Sequence, residues 1–383
     1  MTASNTINGE ESTPASPEAL PKNKSIYRVV ALDLDGTLLN DQHQLSARTI
    51  QGLRDLHNND NSDLQIVLAT GRAISTVYEH VVALGLPNNS ALPVVCSNGA
   101  AGMLCRIVDS DAAKTTTTTS QTTQHNDNDK GAVTVHVNSK TVHSQPLFLT
   151  TVPRAVVRTA LQVAAQHQHV VQYYVQDKIY ANPSTAVHYQ LTEEYIRLTG
   201  SQTIYVPPDE FEAQMEQLGE PTKLLVLFPP PQQDVVLQSL EQAMSLLSQG
   251  NNGSKDNVDN EDPSTVTPKA ATLVRGHLGW FCEVLHPQVH KGAGLKRLCA
   301  QHLNVPLLQV VAFGDGDNDV EFLQMAGLGV AMQNARPVVK DVADEVIDYT
   351  NDEDGVIRTL WDMEKQGLLA SSGTTHNHPM LQS

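Results

Sequence analysis

Short apolar segments that each stop at a polar residue constrain the fold of this 383-residue chain more than any other feature. Segments this apolar are typical of strands covered on both faces, as in parallel sheets. Amphipathic helical patterns separate them, so we predict an open α/β sheet with right-handed crossovers. The predicted strands of this sheet are residues 27–32, 64–69, 93–96, 310–313, 328–332 and 345–347.

Two of the helical patterns have recognisable ends. Ser46 can act as the N-cap of a helix that buries Ile50 and Leu53. A second helix should end at Gly85, since glycine favours the left-handed C-terminal position and Pro87 cannot continue a helix. Strands and helices therefore alternate in this part of the chain.

The middle of the chain has a different pattern, and the parallel-sheet pattern resumes only at Gly279. Strands are predicted there at residues 133–137, 170–175, 179–181, 223–228 and 271–275, with helices near 153–166, 185–198 and 232–247. We therefore expect a Rossmann-like parallel-sheet core domain of residues 26–100 and 277–368. An α+β cap domain of residues 101–276 would be inserted into it.

Four segments lack the apolar content needed to offset the entropy cost of ordering a chain. Residues 1–25 and 369–383 are predicted to be disordered tails. Residues from about 109 to 130 and from about 249 to 268 are predicted to be disordered insertions beside the cap. Extra length in a surface loop costs little free energy, so these insertions are compatible with a folded cap.

Charge and composition exclude several classes of function. A formal net charge of −17 argues against nucleic acid or an anionic membrane as a partner. No apolar stretch reaches the roughly 18 residues of a membrane span. The chain shows no secretory signal and none of its four cysteines forms a C-x-x-C pair, which predicts a cytoplasmic protein with reduced thiols. A monomer and a homodimer are both compatible with the sequence.

Polar residues follow directly on the ends of the predicted parallel strands. They are Asp33, Thr70, Asn98 and Asp315. In open α/β sheets, ligands bind outside the carboxyl ends of the strands. The sequence therefore predicts a binding or catalytic site at this edge of the sheet. Because the chain is strongly acidic, a site for a phosphate would need its own positive charge from a metal ion, Lys or Arg.

Asp33 and Asp35 form the first candidate catalytic pair, in the segment DLDGTL. The strand ends there and the chain turns at Gly36, so both carboxylates can approach one cavity. One can attack phosphorus as a nucleophile while the other transfers a proton. A solvated Asp–Gly turn is the alternative interpretation. The apolar run before the pair and Thr-Leu-Leu after it favour catalysis.

A second acidic segment, GDGDND, occupies residues 314–319. An EF-hand loop would need Gly at its sixth position and Glu at its twelfth, where this chain has Val and Ala. Mg²⁺ usually takes one or two carboxylates, which Asp33 and Asp315 would supply. Asp317 and Asp319 can instead complement the dipole of a helix N-terminus. We expect Asp319 to orient a neighbouring group rather than to bind metal.

Two further segments can bind a phosphate. Thr70-Gly71-Arg72 lies between a strand and a helix, where a hydroxyl and free backbone N–H groups suit an anion, although a plain helix cap would also explain Thr70. Lys291 precedes a helical pattern and can neutralise a transferring phosphoryl group. Most lysines are merely solvated. Only the family resemblance selects Lys291 over Lys296.

Together these segments resemble the haloacid dehalogenase superfamily, in particular its Cof-type sugar-phosphatase branch with a large α/β cap. The matching segments occur in the family's order and cover both ends of the chain. The position before Lys291 is often Ser in this family and is His here. The matches are ALDLDGTLL at 31–39, LATGR at 68–72, SNGA at 97–100, HKGAGLKRL at 290–298, FGDGDND at 313–319 and NDEDGV at 351–356.

The resemblance implies a role for each candidate residue. Asp33 resembles the nucleophile that forms an aspartyl-phosphate. Asp35 resembles the general acid/base, and its backbone carbonyl resembles a Mg²⁺ ligand. Asp315 is similar to the third metal-binding position. The positions similar to phosphate-binding or substrate-binding residues are Thr70, Arg72, Asn98, Lys291 and Asn318, with Asp319 in a supporting role.

The implied function is Mg²⁺-dependent hydrolysis of a small phosphorylated metabolite, such as a sugar phosphate. A sugar phosphomutase that uses the same aspartates is one alternative, and a bisphosphate activator requirement would indicate it. A catalytically idle binding module is another. The presence of all the reacting and phosphate-binding residues argues against that module, which would not need them. Flavin mononucleotide, pyridoxal phosphate and nucleotides also remain open as substrates, and the cap should choose among them.

Overall fold

The computed structural model describes residues 27–58, 64–86, 90–108, 132–175, 177–250, 269–276 and 279–370. Structural statements below concern this part of the chain. Its strands form two sheets, one of nine strands and one of six, and this arrangement confirms the predicted α/β class with a parallel-sheet core. The predicted disordered segments 1–25 and 109–130 lie outside the described residues, as do 251–268 and 371–383.

The nine-stranded sheet forms the core unit. Its spatial order is β15-β14-β13-β1-β2-β3-β4-β6-β5, with strands numbered along the chain. The first six in this order are parallel, and the last three are antiparallel. The strands are β1 (Val29–Leu32), β2 (Gln65–Ala69), β3 (Leu92–Cys96), β4 (Ala101–Val108), β5 (Val133–Val137), β6 (Lys140–Leu149), β13 (Val310–Gly314), β14 (Leu328–Ala331) and β15 (Glu345–Val346).

The helices of the core unit are amphipathic and pack on this sheet. They are α1 (Ala47–Asn58), α2 (Tyr78–Leu84), α7 (Lys291–Leu298), α8 (Val320–Met325), α9 (Pro337–Lys340) and α10 (Gly355–Lys365). Ser46 caps α1 as predicted, because its Oγ accepts a bond from the Thr49 backbone N–H at 3.0 Å. Leu53 is buried as expected, but Ile50 is only half-buried. No helix in the described segments is long and apolar enough to cross a membrane.

The six-stranded sheet and its helices form a second unit, which we call the cap. The sheet order is β11-β12-β10-β7-β8-β9. Helices α3, α5 and α6 cover one face, while the other carries α4 and contacts Ala73 of the core. The elements are α3 (Arg154–Gln166), β7 (Val170–Val175), β8 (Lys178–Ala181), α4 (Ala186–Thr199), β9 (Thr203–Tyr205), α5 (Pro208–Leu218), β10 (Lys223–Leu227), α6 (Gln233–Gly250), β11 (Thr272–Arg275) and β12 (Phe281–Leu285).

Both predicted cap boundaries are wrong. The chain turns back at residues 97–99, so β4 pairs antiparallel with β3 and carries β6 and β5 into the core sheet. At the other boundary, residues 281–285 fall within the predicted core range of 277–368 without a predicted strand, but they form β12. Its partners are β10 and β11, which makes it a cap strand. The cap therefore extends from α3 to β12.

Two predicted disordered segments begin too early. Helix α6 continues to Gly250, although disorder was predicted from residue 249. Leu369 was assigned to a disordered tail, but it is buried and forms a β-bridge with Tyr27. The Ala370 backbone N–H also donates to the Tyr27 carbonyl at 2.8 Å. Pairing with Tyr27 thus orders residues whose local composition favours disorder.

Candidate active site

The carboxyl ends of three neighbouring strands bring predicted site residues to one edge of the core sheet. Asp33 follows β1, Thr70 follows β2 and Asp315 follows β13. Backbone bonds hold the strand ends in register: Asp33 N–H donates to the Phe313 carbonyl at 3.1 Å, and Thr70 N–H donates to the Val95 carbonyl at 2.8 Å. Side chains from distant parts of the sequence therefore share one cleft edge.

Lys291 lies between two of the carboxylates. It begins α7 and is fully buried. Its Nζ is 2.7 Å from Asp33 Oδ1 and 2.5 Å from Asp319 Oδ1. Burial alone would lower the pKa of Lys291, but the charges of Asp319 and Asp33 raise it above its ordinary value. Lys291 therefore stays positively charged within this acidic cluster.

Three carboxylates of this cluster can converge on one cation. Asp33, Asp315 and Asp319 each offer an oxygen within 4.8 Å of the others. Burial and the charge of Asp319 raise the pKa of Asp33 well above its ordinary value, although Lys291 opposes the shift. Burial, then the charge of Asp319, raises the pKa of Asp315 to about 7. Crowded carboxylates that hold protons in this way fit a divalent cation, which replaces protons as it binds.

Asp319 differs from the other two acids because both of its oxygens already have partners. Oδ1 accepts from Lys291, and Oδ2 accepts from the backbone N–H groups of Asp315 and Gly316, each at 3.0 Å. Asp315 is held separately by the Thr37 hydroxyl, at 2.8 Å from Oδ1. Asp319 thus orients Lys291 and the 314–319 loop, whereas Asp33 and Asp315 retain oxygens for a metal.

Arg72 forms two hydrogen bonds with the Asp35 carboxylate. Arg72 Nε is 2.7 Å from Asp35 Oδ2, and Nη2 is 2.5 Å from Oδ1. His43 Nδ1 lies 3.1 Å from the same Oδ1. Burial would raise the pKa of Asp35, but the hydrogen bonds from Arg72 and His43 lower it well below its ordinary value. The Asp35 carboxylate is therefore ionised and held at the mouth of the cleft, with 40% of its side chain exposed.

Thr70 forms a turn rather than a helix cap. Its Oγ1 accepts from the Arg72 backbone N–H at 3.1 Å, and its carbonyl accepts from the Asn98 N–H at 3.1 Å. The following helical turn begins only at Ile74, with Ala73 as its N-cap. The alternative interpretation of Thr70 as a plain helix cap is therefore wrong. These bonds tie the Thr70 turn to the Asn98 turn.

Asn98 and Asn318 touch each other, and Asn98 also reaches the cap. Asn318 Nδ2 donates to Asn98 Oδ1 at 2.8 Å, and Asn98 Nδ2 donates to Glu283 Oε2. Glu283 in turn forms an ion pair with Lys223, whose Nζ is 2.6 Å from Glu283 Oε1 and 2.9 Å from the Gly71 carbonyl. The predicted residues Asn98 and Asn318 are thus linked to the cap.

Sequence reasoning missed several of these contacts. Lys223 and Glu283 are single charges within the apolar segments KLLVLF and FCEVL, and a lone charge in a buried strand was the available indication of a special role. His290 was given no role, yet its Nδ1 accepts from the Ala293 N–H at 3.3 Å and caps α7. Asp317, expected to complement a helix N-terminus, lies in the first turn of the helical segment 317–319, is exposed and pairs with Arg336.

Comparison with known proteins gives the family. The sequence profile of the haloacid dehalogenase-like hydrolases matches residues 30–104 and 128–360, which is most of the chain. An uncharacterized hydrolase of Schizosaccharomyces pombe is 24% identical over 89% of this chain and 92% of its own length. A sugar phosphatase of haloacid dehalogenase subclass IIB, at 18% identity, has a similar fold. Its TM-score is 0.58, with 89% of this chain and 100% of that chain covered.

Other relatives match over short stretches. A 5-amino-6-(5-phospho-D-ribitylamino)uracil phosphatase of Bacillus subtilis is 42% identical over 78 residues, which is 20% of this chain. This chain covers only 28% of that relative, and between 13% and 33% of the others that match locally. The profile match over both ends of the chain and the fold decide the assignment. The chain belongs to the haloacid dehalogenase-like hydrolase family.

Proposed function

We propose that this protein is a Mg²⁺-dependent phosphatase that hydrolyses a small phosphorylated metabolite, such as a sugar phosphate, through an aspartyl-phosphate on Asp33. One observation carries the proposal: the buried Lys291 ammonium lies 2.7 Å from Asp33, within a group of three converging carboxylates. A nucleophile, a fixed positive charge and a cation site in one cleft suit phosphoryl transfer. The phosphatase name of the Bacillus subtilis relative supports this reaction.

The metal would be held by Asp33, Asp315 and the backbone carbonyl of Asp35. Asp319 is excluded from this set because both of its oxygens already accept hydrogen bonds. When bound, Mg²⁺ neutralises negative charge on the phosphate oxygens. Lys291, whose Nζ lies 2.7 Å from Asp33 Oδ1, supplies a second positive charge, and Thr70 supplies a hydroxyl. Asn318 adds a carboxamide at the same edge of the sheet.

The chemistry proceeds in two steps. In the first, an Asp33 oxygen attacks phosphorus, the bond from phosphorus to the leaving oxygen breaks, and Asp35 gives a proton to the departing alcohol. In the second, Asp35 takes a proton from water, the water oxygen attacks phosphorus, and the bond to Asp33 breaks. Because Arg72 holds Asp35 ionised in the free protein, substrate must loosen that contact so that Asp35 can take up a proton from solvent and then give it to the departing alcohol.

A small cytoplasmic substrate fits the other properties of the chain. All four cysteines are free, which is compatible with a reducing compartment. The net charge of −17 disfavours large polyanions, so a small anion that meets the local cations is the better substrate. The organic part of the substrate would lie between the core edge and the cap, near Arg72 and Asn98.

The proposal is tested with p-nitrophenyl phosphate, a small general phosphatase substrate. Wild type should hydrolyse it with Mg²⁺ and lose activity when EDTA is added. Asp33→Asn should lower kcat by about 10⁴-fold or more, because a nucleophile is lost. Asp317→Asn is the matched control, since Asp317 lies in the same acidic loop but is exposed and paired with Arg336. Equal rates for wild type and Asp33→Asn would refute the proposed function.

A further inference from the structure

Two charged side chains are buried in the cap strands that face the core. In the antiparallel pair of β10 and β12, Leu225 lies opposite Glu283. Lys223 is therefore a diagonal neighbour of Glu283 on the same face of the sheet. Lys223 is 1% exposed and Glu283 6% exposed, and their charged atoms are 2.6 Å apart. A buried ion pair costs desolvation energy that a hydrophobic pair would avoid. This cost points to a role for the pair beyond stability.

The pair extends from the cap into two loops of the core. Lys223 Nζ donates to the Gly71 carbonyl at 2.9 Å, in the turn that carries Thr70. Glu283 Oε2 accepts from Asn98 Nδ2. The remaining side of the Lys223 ammonium lies over the Tyr174 ring, 4.7 Å from its centroid. Every polar group of the pair is thus engaged with protein, so the pair acts on the loops rather than on a substrate.

Glu283 also fixes which way the neighbouring amides point. A carboxylate can only accept hydrogen bonds, so Asn98 must turn its Nδ2 toward the cap and its Oδ1 toward Asn318. Asn318 must then donate its Nδ2 to Asn98, at 2.8 Å. Gly71 leaves room for this arrangement, because a Cβ there would lie 3.0 Å from Asn98 Oδ1. The charge on Glu283 therefore orients the side-chain amide of Asn318 in the 314–319 loop.

We propose that Lys223 and Glu283 are positioning residues, which hold the Thr70 turn and the Asn98–Asn318 amides in their working arrangement when the cap is seated on the core. This inference rests on the proposed phosphatase function. It couples the cap to the phosphate-binding loops through one continuous chain of contacts, from Lys223 through Glu283 and Asn98 to Asn318. Neither residue of the pair takes part in bond making or breaking.

Two variants separate positioning from simple stabilisation. Glu283→Gln keeps the shape but introduces a group that can donate, so Asn98 is free to turn over; it also leaves the buried Lys223 charge without its partner. Lys223→Met/Glu283→Gln removes that unpaired charge as well. Glu216→Gln is the matched control. It makes the same change in an exposed cap pair, in which Arg158 lies 2.7 Å from Glu216.

The kinetic test uses p-nitrophenyl phosphate with Mg²⁺, and melting temperature measured alongside. Glu283→Gln should lower kcat by about tenfold to a hundredfold, which is typical of displaced reacting groups, and should lower the melting temperature. The double variant should recover most of the melting temperature but not kcat. Recovery of kcat together with melting temperature would show a purely structural pair and overturn the proposal. Wild-type kcat and KM in Glu283→Gln would overturn it too.

Hydrogen–deuterium exchange gives a readout that does not need activity. The Ser97 N–H donates to the Arg72 carbonyl at 2.8 Å, and the Asn98 N–H donates to the Thr70 carbonyl. In the double variant both amides should exchange about tenfold faster than in wild type, and Glu216→Gln should leave them unchanged. Wild-type exchange in the double variant would overturn the proposal. If wild type hydrolyses no phosphate ester, the phosphatase proposal fails, while these exchange rates still decide whether the pair positions the loops.

Discussion

The core and the cap each bury one lysine, and the two lysines have different partners. Lys291 is 0% exposed and lies between Asp33 and Asp319, while Lys223 is 1% exposed and lies between Glu283 and the Gly71 carbonyl. Both keep their charge because acidic partners raise their pKa above the ordinary value against the effect of burial. Similar burial therefore does not imply a similar role.

What differs is the partner that each lysine neutralises. Lys291 faces an acid that we propose as the nucleophile, so its charge is available where a phosphoryl group would arrive. Lys223 faces Glu283, a buried residue of cap strand β12 whose other hydrogen bond goes to Asn98 of the core. The first lysine should therefore matter most for rate, and the second most for stability and loop placement.

The largest effect should come from Lys291→Met. It removes the fixed positive charge beside Asp33, and losing one such electrostatic contact typically costs about 10²–10³-fold in kcat. Hydrolysis of p-nitrophenyl phosphate with saturating Mg²⁺ measures the loss. Lys296→Met is the matched control, because Lys296 is an exposed lysine of the same helix and should leave kcat unchanged. Equal effects of the two variants on kcat would contradict the role that we propose for Lys291.

Lys223→Met should act mainly on stability. It leaves the buried Glu283 without its counter-charge, and breaking a buried pair in this way costs about 3–5 kcal/mol. Urea unfolding measures this free energy. Lys365→Met makes the same substitution in an exposed pair with Asp362, 2.9 Å apart, and should cost less than about 1 kcal/mol. A loss of kcat as large as that of Lys291→Met, without a loss of stability, would reverse the comparison.

Metal binding should depend on pH in a defined direction. Because the folded-state pKa of Asp315 is raised to about 7, the metal-free protein holds a proton that the unfolded chain releases near pH 4. Its stability should therefore fall as pH rises between about 4 and 7. Mg²⁺ competes with that proton, so the increase in melting temperature on adding Mg²⁺ should be larger at pH 7.5 than at pH 5.5. Asp315→Asn should reduce the difference, because only the raised pKa of Asp33 then remains. An equal Mg²⁺ effect at both pH values in wild type would contradict the expectation.

Gly71→Ala should have the smallest effect. It tests the contact between Asn98, which is bonded to the cap, and Asn318, which lies in the 314–319 loop of the core. The added Cβ would lie 3.0 Å from Asn98 Oδ1 and 3.5 Å from Asn318 Nδ2, so the amides must shift by a few tenths of an ångström. We expect a fall in kcat of about two- to tenfold, with little change in melting temperature. An unchanged kcat would show that the exact placement of these amides does not affect the reaction.

The sequence predicted the residues around Lys291 because parallel strands end at one edge of a sheet. Asp33, Thr70 and Asp315 each follow an apolar strand, so their proximity follows from the fold class. Lys291 itself needed the family resemblance, since its helix offers Lys296 as well. Local pattern and topology were sufficient for Asp33, Thr70 and Asp315, and the family resemblance added Lys291.

The residues around Lys223 could not be predicted in the same way. Its contact with Glu283 depends on the register between β10 and β12, two strands far apart in sequence, and a single chain gives no register between such strands. The cap boundaries were wrong for a related reason: neither β4 nor β12 is predicted as a strand, and their partners decide to which sheet each belongs. Apolar pattern indicates a strand without indicating its neighbours.

Trapping the covalent intermediate tests the central claim most directly. Wild-type protein is mixed with Mg²⁺ and an excess of p-nitrophenyl phosphate, quenched, reduced with borohydride and digested for mass spectrometry. An aspartyl-phosphate is reduced to homoserine under these conditions, so residue 33 should carry that change in wild type, and the Asp33→Asn variant should show no change. Reduction at Asp35 or Asp315 instead of Asp33, or no reduction anywhere despite full hydrolysis, would contradict the account.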